Sequence, residues 1–262
     1  MLKPVEQLEN IAFSPKPIET LARVTRSRVL AKVPAIASRV YGGTGCVCQA
    51  CGAEFGKFAR THRPAHYGCP FCGAIDRDLF HLLVLERTTD FFDGSTKRVL
   101  HIAPEPVLER KFRATSGIDY LSGDLMRPNV MAKVDICNMT FEDATFHAAI
   151  CSHVLEHVPD DRTAMAEFAR VLEPSGYALF AFPIGTGPTI EDPTLTDRRA
   201  RIRRFGQIDH LRMYGPDVVD RFTDAGFAVT TVRPADICTP DEASRFGLDA
   251  GAELVAYICH PS

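Results

Sequence analysis

From residue 97 onwards, the spacing of apolar and polar positions is typical of strands in some segments and of helices in the segments between them. Short apolar runs typical of buried strands recur at 98–102, 118–121, 133–136, 147–152, 177–182, 228–233 and 253–259. Helical patterns begin near Glu105, Asp160 and Gly215, and the second has Met165 and Phe168 on one face. Strands that alternate with helices predict a parallel sheet covered on both faces. We therefore expect an α/β fold with a doubly wound, mostly parallel, seven-stranded sheet.

The first 78 residues have a different pattern. Apolar residues recur at roughly helical spacing over 21–40, and the basic residues between them are Arg23, Arg26, Arg28, Lys32 and Arg39. This basic face is either solvated or in contact with RNA, lipid or an anionic substrate. A second apolar helix begins after Asp78. We predict a helical, basic segment over 1–45, a zinc-ribbon module over 46–78 and a large domain over 79–262.

Composition and charge narrow the choice of function class. The chain has 262 residues, 45% of them hydrophobic, and a formal net charge of -3, which gives no global attraction to nucleic acid. The sequence has no apolar run near the roughly 18 residues that span a bilayer, and residues 1–13 do not show a secretory signal pattern. Four of nine cysteines lie in two C-x-x-C pairs, which favours a metal in a reducing compartment. We expect a cytoplasmic protein without membrane contact.

The two C-x-x-C pairs predict a metal site. Cys48 and Cys51 form the first pair, Cys69 and Cys72 the second, and a glycine follows each pair. Two such turns offer four thiolates to one tetrahedral ion, which is the pattern of a structural zinc site without an open position. Three alternatives stay open. The thiols belong to the core or to redox chemistry, Cys46 replaces Cys48, or a histidine (His62 or His66) joins the ligands.

The turn after the first predicted strand of the large domain reads "VLHIAPEP" and has no glycine. In an open parallel sheet this turn borders the ligand crevice, and a glycine-rich turn there suits a pyrophosphate. The small side chain of Ala103 still lets a ligand approach the backbone closely. Pro104 removes an N–H that could bind a phosphate, and Glu105 adds a negative charge. This combination disfavours a dinucleotide and suits a cationic cofactor without phosphate. Asp124 and Asp135 follow the next two strands, where each is either a turn residue or a ligand to ribose or adenine.

Residues 97–232 resemble the class I S-adenosylmethionine-dependent methyltransferases. The stretch "CSHVLEHVPDDRTAMAEFARVLEPSGYALFAFP" is similar to the fourth strand, helix and fifth strand of the small-molecule type. The cysteine module, "HIAPE" and "FGQIDHLRMYG" together resemble a bacterial zinc-ribbon branch of these enzymes. The resemblance implies S-adenosylmethionine as cofactor. It carries the cofactor contacts to His101, Ala103, Glu105, Asp124, Asp135, Ile136, Ser152 and His153.

We expect the residues that bind the methyl acceptor and remove its proton to follow the fourth and fifth strands. His210 is the first candidate for a general base because histidine titrates near neutrality, and Asp209 stands next to it in sequence. His157 is either a second base or a capping or packing residue. The stretch 184–213 is read as a long loop, either a lid or unordered. The candidate substrate-binding residues in and directly after this stretch are Glu191, Asp192, Arg204, Arg212 and Tyr214. Glu191 and Asp192 are either surface carboxylates or ligands to an amine or a divalent ion.

Three functions follow from these features. The first is a methyltransferase that acts on oxygen or nitrogen of a small or glycan-type acceptor. The arginines of 198–204 form either a solvated helix face or a binding site for the phosphate or carboxylate of an anionic acceptor. The second is an RNA methyltransferase that grips RNA through the zinc ribbon and the basic segment, which would show steep salt dependence. The third is a non-catalytic binding protein with a methyltransferase fold, which would not bind S-adenosylmethionine.

Overall fold

A computed structural model describes residues 39–61, 66–249 and 253–262. The predicted basic helix over 21–40 lies almost wholly outside these residues. The described residues fall into two compact units. One comprises the described parts of 1–90, 105–111 and 233–254, and the other comprises 91–104, 112–232 and 255–262. These units do not follow the predicted domain boundaries after residues 45 and 78. The three predicted domains stay a prediction.

Thirteen strands are found in the described residues. In chain order they are β1 Cys46–Val47, β2 Glu54–Phe55, β3 Ala59–Arg60, β4 Tyr67–Gly68, β5 Lys97–Ile102, β6 Ile118–Asp124, β7 Ala132–Lys133, β8 Phe146–Ser152, β9 Leu172–Ala181, β10 Ile190–Glu191, β11 Arg212–Met213, β12 Phe227–Val232 and β13 Ala256–Pro261. The helices are α1 Asp76–Thr88, α2 Pro106–Arg113, α3 Asp161–Val171, α4 Arg198–Phe205, α5 Val218–Asp224, α6 Pro234–Ile237 and α7 Pro240–Phe246, with a 3₁₀ turn at Leu155–His157.

The second unit contains the predicted seven-stranded sheet. Its strand order is β12-β13-β9-β8-β5-β6-β7. The five strands from β9 to β7 run parallel, whereas β13 is antiparallel to both of its neighbours. From β5 the chain first builds outwards through β6 and β7, then crosses back to β8 and β9. The strand order therefore reverses between β5 and β8, where an open α/β sheet places its ligand crevice.

One apolar cluster of this unit lies on the face of the sheet that α3 covers. Leu100 and Ile102 of β5 pack in one apolar cluster with Met165 and Phe168 of α3. Phe168 also meets Phe180 of β9 edge to face, with ring centroids 5.0 Å apart. The alternation of strand side chains sends His101 to the opposite face, against Phe112 of α2. The α/β prediction is confirmed, including helices α2, α3 and α5 close to the predicted starts.

Two local expectations were wrong. The stretch 184–213 is not one long loop, because it contains the antiparallel strand pair β10 and β11 with helix α4 between them. The carboxylate of Asp197 accepts the N–H of Ala200 at the start of α4, and Gly206, with φ +86°, ends the helix. The third strand of the sheet is also shorter than predicted, since the Asp135 carboxylate accepts the N–H of Cys137 and turns the chain.

Among the helices of the described ranges, none combines the length and the apolar character that a membrane span requires.

Candidate functional sites

Two cysteine turns of the first unit are built alike. The N–H of Cys48 donates to the carbonyl of Ala53, and that of Cys69 donates to Ala74, at 3.0 and 2.7 Å. Gly52 and Gly73 follow the second cysteine of each turn with φ +72° and +79°. Glycine suits both positions because other residues rarely adopt this left-handed backbone. The repeated turn directs two thiols from each side to one point.

The four sulfur atoms meet within 4.8 Å of one another. The Sγ atoms of Cys48 and Cys72 are 3.6 Å apart, and those of Cys51 and Cys69 are 3.8 Å apart. A zinc ion with Zn–S bonds of about 2.3 Å holds tetrahedral sulfurs about 3.8 Å apart. The donor set and its spacing therefore fit a closed, four-cysteine zinc site. The Sγ of Cys46 instead faces the carbonyl of Gly56, and His66 pairs with Asp76 at 2.8 Å. His62 lies outside the described residues.

The carboxyl ends of β5 and β8 carry unusual backbone. Ala103 follows β5 with φ +50°, and His153 follows β8 with φ +55°. Both positions extend the sheet, since the N–H of Ala103 donates to Gly123 and that of His153 donates to Ala181. A left-handed conformation costs about 1–2 kcal/mol for a residue with a Cβ, and such strain concentrates at functional sites. The two strained residues border the place where the strand order reverses.

Ser152 lies between these features as the last residue of β8. Its side chain is buried, and its Oγ has no hydrogen-bond partner among the residues that the structure describes. A buried hydroxyl without a partner costs about 1–3 kcal/mol. A ligand with polar groups at this edge would satisfy it, so the site fits a polar cofactor.

Asp124 and Asp135 reach the same edge from β6 and β7. One oxygen of Asp124 accepts the N–H groups of Met126 and Arg127 at 2.7 and 2.8 Å, which shapes the turn after β6. Its other oxygen, Oδ2, takes no part in these two bonds and can serve a ligand. Asp135 is exposed beyond the end of β7. These positions are compatible with the predicted ribose and adenine contacts.

Three other predicted cofactor residues occupy different surroundings. His101 is fully buried, and its Nδ1 meets the hydroxyl of Tyr120 at 3.0 Å on the face that bears Phe112, so its side chain is a packing group. Ile136 is buried in the apolar cluster. Glu105 belongs to the other unit, where it is buried and accepts the N–H of Glu109 on its carbonyl.

Beyond Ser152 the structure assembles a cluster of histidines and carboxylates. His157 and His210 meet edge to face with ring centroids 4.7 Å apart. The Nε2 of His210 lies 3.9 Å from the carboxylate of Glu156, and the Nδ1 of His153 lies 3.2 Å from it. Asp209 pairs with the Nδ1 of His157 at 3.3 Å. The predicted pairing of Asp209 with its sequence neighbour His210 is therefore replaced by a pairing with His157.

Hydrogen bonding and burial set the protonation of this cluster. The Nδ1 of His210 lies 2.8 Å from the carbonyl of Phe205, so Nδ1 carries the proton and Nε2 is left as an acceptor. Burial lowers the pKa of His210, which keeps the ring neutral at pH 7. Burial alone would raise the pKa of Glu156, but the three histidines outweigh it and bring the value down to about 2. Sequence reasoning missed Glu156 and its convergence with His210.

Buried hydrogen bonds to backbone carbonyls form a network that holds the His210 segment in place. The guanidinium of Arg212 donates to the carbonyls of Leu155 and Pro159, and the N–H of Leu211 donates to the backbone carbonyl of Glu156 at 2.9 Å. These contacts pin the start of β11 to the 3₁₀ turn. They bring together His157 and His210, which lie far apart in sequence.

The predicted substrate-binding residues mostly serve that network. Arg212 has its donors on backbone carbonyls and Glu191, and Tyr214 is fully buried with its hydroxyl donating to Asp161 at 2.7 Å. These contacts argue against direct substrate roles for Arg212 and Tyr214. Asp192 and Arg204 form a pair at 3.1 Å near the surface.

Comparison with known proteins finds similarity to a family over part of the chain. The family described as "Methyltransferase domain" matches residues 98–180, which run from β5 to β9. A protein of Streptomyces fradiae, described as an uncharacterized 37.1 kDa protein in transposon TN4556, is 37% identical over 101 residues. That match covers 38% of this chain and 29% of the relative, so the chain spans less than a third of the curated relative.

A search of solved structures finds partial similarity to this chain at low sequence identity. The 1,6-didemethyltoxoflavin-N1-methyltransferase of Burkholderia thailandensis has 14% identity and a TM-score of 0.49, covering 71% of this chain and 78% of that one. The phosphoethanolamine N-methyltransferase 2 of Haemonchus contortus has 13% identity and a TM-score of 0.44, covering 71% and 58%. The family match is therefore confined to residues 98–180, where this chain is similar to a methyltransferase domain.

Proposed function

We propose that this protein transfers a methyl group from S-adenosylmethionine to an oxygen or nitrogen of a small or glycan-type acceptor. The observation that carries the proposal is the unpartnered, buried hydroxyl of Ser152 at the edge framed by Ala103 and His153. S-adenosylmethionine supplies a methyl group on a positively charged sulfur. Ser152 and His153 would contact its methionine portion, Asp124 would accept from the ribose hydroxyls, and Asp135 would face the adenine.

The acceptor's proton is removed at the histidine–carboxylate cluster. The Nε2 of His210 is the best acceptor there, because it is buried, neutral at pH 7 and without a hydrogen-bond partner among the described residues. Asp209 holds the neighbouring His157 in place. Methyl transfer needs an aligned nucleophile more than any other contribution, and proton removal adds to it.

The acceptor carries a negative charge in this proposal. Helix α4 presents the side chains of Arg198, Arg199 and Arg203 at an exposed surface, and the carboxylate in its first turn is the cap, Asp197. Guanidinium groups suit carboxylates and phosphates. The four-cysteine site is structural, since four thiolates leave no open position for a substrate.

Calorimetric titration of the zinc-loaded protein with S-adenosylmethionine and S-adenosylhomocysteine tests the cofactor assignment. We expect micromolar binding that Asp124→Asn weakens about tenfold or more, because hydrogen bonds to a charged group contribute about 1.5–3 kcal/mol. The amide oxygen of asparagine preserves the turn with Met126 and Arg127. Asp119→Asn, at the exposed start of the same strand, is the matched control and should bind like the wild type.

Two outcomes would redirect the assignment. Absence of binding by the fully zinc-loaded protein would identify a non-catalytic protein with a methyltransferase fold. Equal affinity of Asp124→Asn and wild type would overturn the ribose contact. Once binding is established, an acceptor screen with anionic metabolites and RNA decides between the small-molecule proposal and an RNA methyltransferase.

A further inference from the structure

The histidine–carboxylate cluster has the composition of a second metal site. Glu156, His157 and His210 each bring one ligand atom to a region where all three atoms lie within 4.8 Å of one another. Two imidazole nitrogens and one carboxylate are a common donor set for first-row divalent ions. The site differs from the four-cysteine site in chemistry, since it contains no sulfur.

Buried polar atoms without partners point into this region. Glu156 is 1% exposed, and neither of its carboxylate oxygens has a hydrogen-bond partner among the described residues. The Nε2 of His210 is also buried and has no hydrogen-bond partner among the residues that the structure describes. A buried carboxylate is costly unless a cation compensates its charge. The Nδ1 of His153 lies 3.2 Å from one oxygen of this carboxylate, and its ring is charged only when protonated.

The surroundings orient the histidines as metal ligands. The Nδ1 of His210 donates to the carbonyl of Phe205 at 2.8 Å, and the Nδ1 of His157 faces the carboxylate of Asp209 at 3.3 Å. Metal-binding histidines almost always donate their second ring N–H to a carbonyl or carboxylate in this way. Both rings are thereby set to offer Nε2 to an ion.

We propose that Glu156, His157 and His210 bind one divalent first-row metal ion and leave at least one of its coordination positions open. Zinc serves below as the example for bond lengths. Bonds of about 2.0–2.2 Å hold such ligand atoms roughly 3.0–3.5 Å apart. The Oε1 of Glu156 and the Nε2 of His210 are 3.9 Å apart, so this distance has to shorten by less than about 1 Å. A small rotation of the side chains is enough for that.

The role of this ion rests on the proposed function. A metal with an open position binds the acceptor's oxygen and lowers the pKa of its hydroxyl. The proton leaves to water, the oxygen's electron pair forms the O–CH3 bond, and the C–S bond breaks with its electrons passing to sulfur. His210 is then a metal ligand instead of the direct proton acceptor.

Cobalt(II) binding tests the site without any acceptor. Protein with zinc in the four-cysteine site is freed of weakly bound metal with a mild chelator and titrated with Co2+. We expect one equivalent to bind with the weak visible bands of nitrogen and oxygen ligands and without the intense near-ultraviolet band of thiolate ligands. Glu156→Gln and His210→Gln should each weaken this binding at least about tenfold, a loss of about 1.4 kcal/mol per tenfold.

A matched control and a second ligand keep the outcomes distinct. His260→Gln removes a histidine of the same unit whose Nδ1 also meets a carbonyl, that of Gly176 at 3.0 Å, and should bind Co2+ like the wild type. Failure of wild-type protein to bind this equivalent, or unchanged binding by both cluster variants, overturns the inference. S-adenosylhomocysteine binding is measured on the same samples. Cobalt binding without it would support the metal site and overturn the proposed function.

Discussion

At the scale of single residues, the backbone of Ala103 is the feature that sequence reasoning could only partly predict. The sequence placed Ala103 in the turn after the first strand of the sheet, but alanine gives no signal of a left-handed φ. That value, +50°, follows from the abrupt exit of the chain from β5. His101 shows the opposite limit. Its alternation with Leu100 and Ile102 is visible in the sequence, yet only the fold shows that its face meets Phe112.

Replacing Ala103 with glycine should stabilise the protein slightly. The left-handed backbone costs alanine about 1–2 kcal/mol, while the extra freedom of glycine in the unfolded chain costs about 0.5–1 kcal/mol. We expect Ala103→Gly to raise the free energy of unfolding by about 0.5–1 kcal/mol, measured by urea denaturation. Ala228→Gly, in the exposed face of strand β12, should lower it by a similar amount. Destabilisation by both changes would show that Ala103 is not strained.

At the scale of elements, local patterns predicted the long helices and the parallel strands better than the short pieces. Helix α4 is rich in arginine and has little apolar periodicity, so the sequence predicted a long loop around it and indicated the helix only through the arginine run. The β10–β11 pair lies beside ion pairs between residues far apart in sequence, such as Arg221 with Asp161 at 2.8 Å and with Glu191 at 3.1 Å. No local window of sequence contains such pairs. The convergence of Glu156 and His210 was missed for the same reason.

Helix α1 carries an acid whose burial makes stability depend on pH. Asp78 is buried in the first turn and accepts the N–H of Ile75 on Oδ2. Burial and the nearby charge of Glu105 raise the pKa of Asp78 from 3.8 to about 7. The folded state therefore holds this proton more tightly than the unfolded state between these values. Its contribution is fully present below pH 3.8 and is lost as the pH rises to about 7.

Asp78→Asn removes this penalty while keeping an oxygen for Ile75. The interval between the two pKa values corresponds to at most ~4 kcal/mol, so we expect the variant to be more stable than wild type by ~2–4 kcal/mol at pH 8. The difference should disappear near pH 4. Denaturation at a series of pH values measures it, with Asp249→Asn at an exposed site of the same unit as control. A difference that does not change with pH would contradict the raised pKa.

At the scale of the whole molecule, the sheet and the cysteine turns differ in what stabilises them. The sheet unit has a large apolar core, which the apolar runs of the sequence predicted. The cysteine turns pair only two-residue strands, and Phe55 and Ala74 are among the few apolar side chains fully buried there. So small a core contributes little free energy, so a bound metal has to supply much of the stability. The sequence indicated this from ligand spacing alone, since C-x-x-C chemistry is local.

Removal of zinc should therefore unfold the cysteine turns selectively. In hydrogen-exchange measurements on chelated protein, we expect the amides of Cys48 and Cys69, which are bonded to Ala53 and Ala74, to lose protection. Amides of the buried strand β8 should stay protected because their partners lie within the sheet. Cys72→Ser should reproduce the effect, whereas Cys137→Ser, in the other unit, should leave the turns protected. Turns that remain protected after complete zinc removal would mean that packing alone holds them. In that case the four thiols would be core or redox groups instead of ligands.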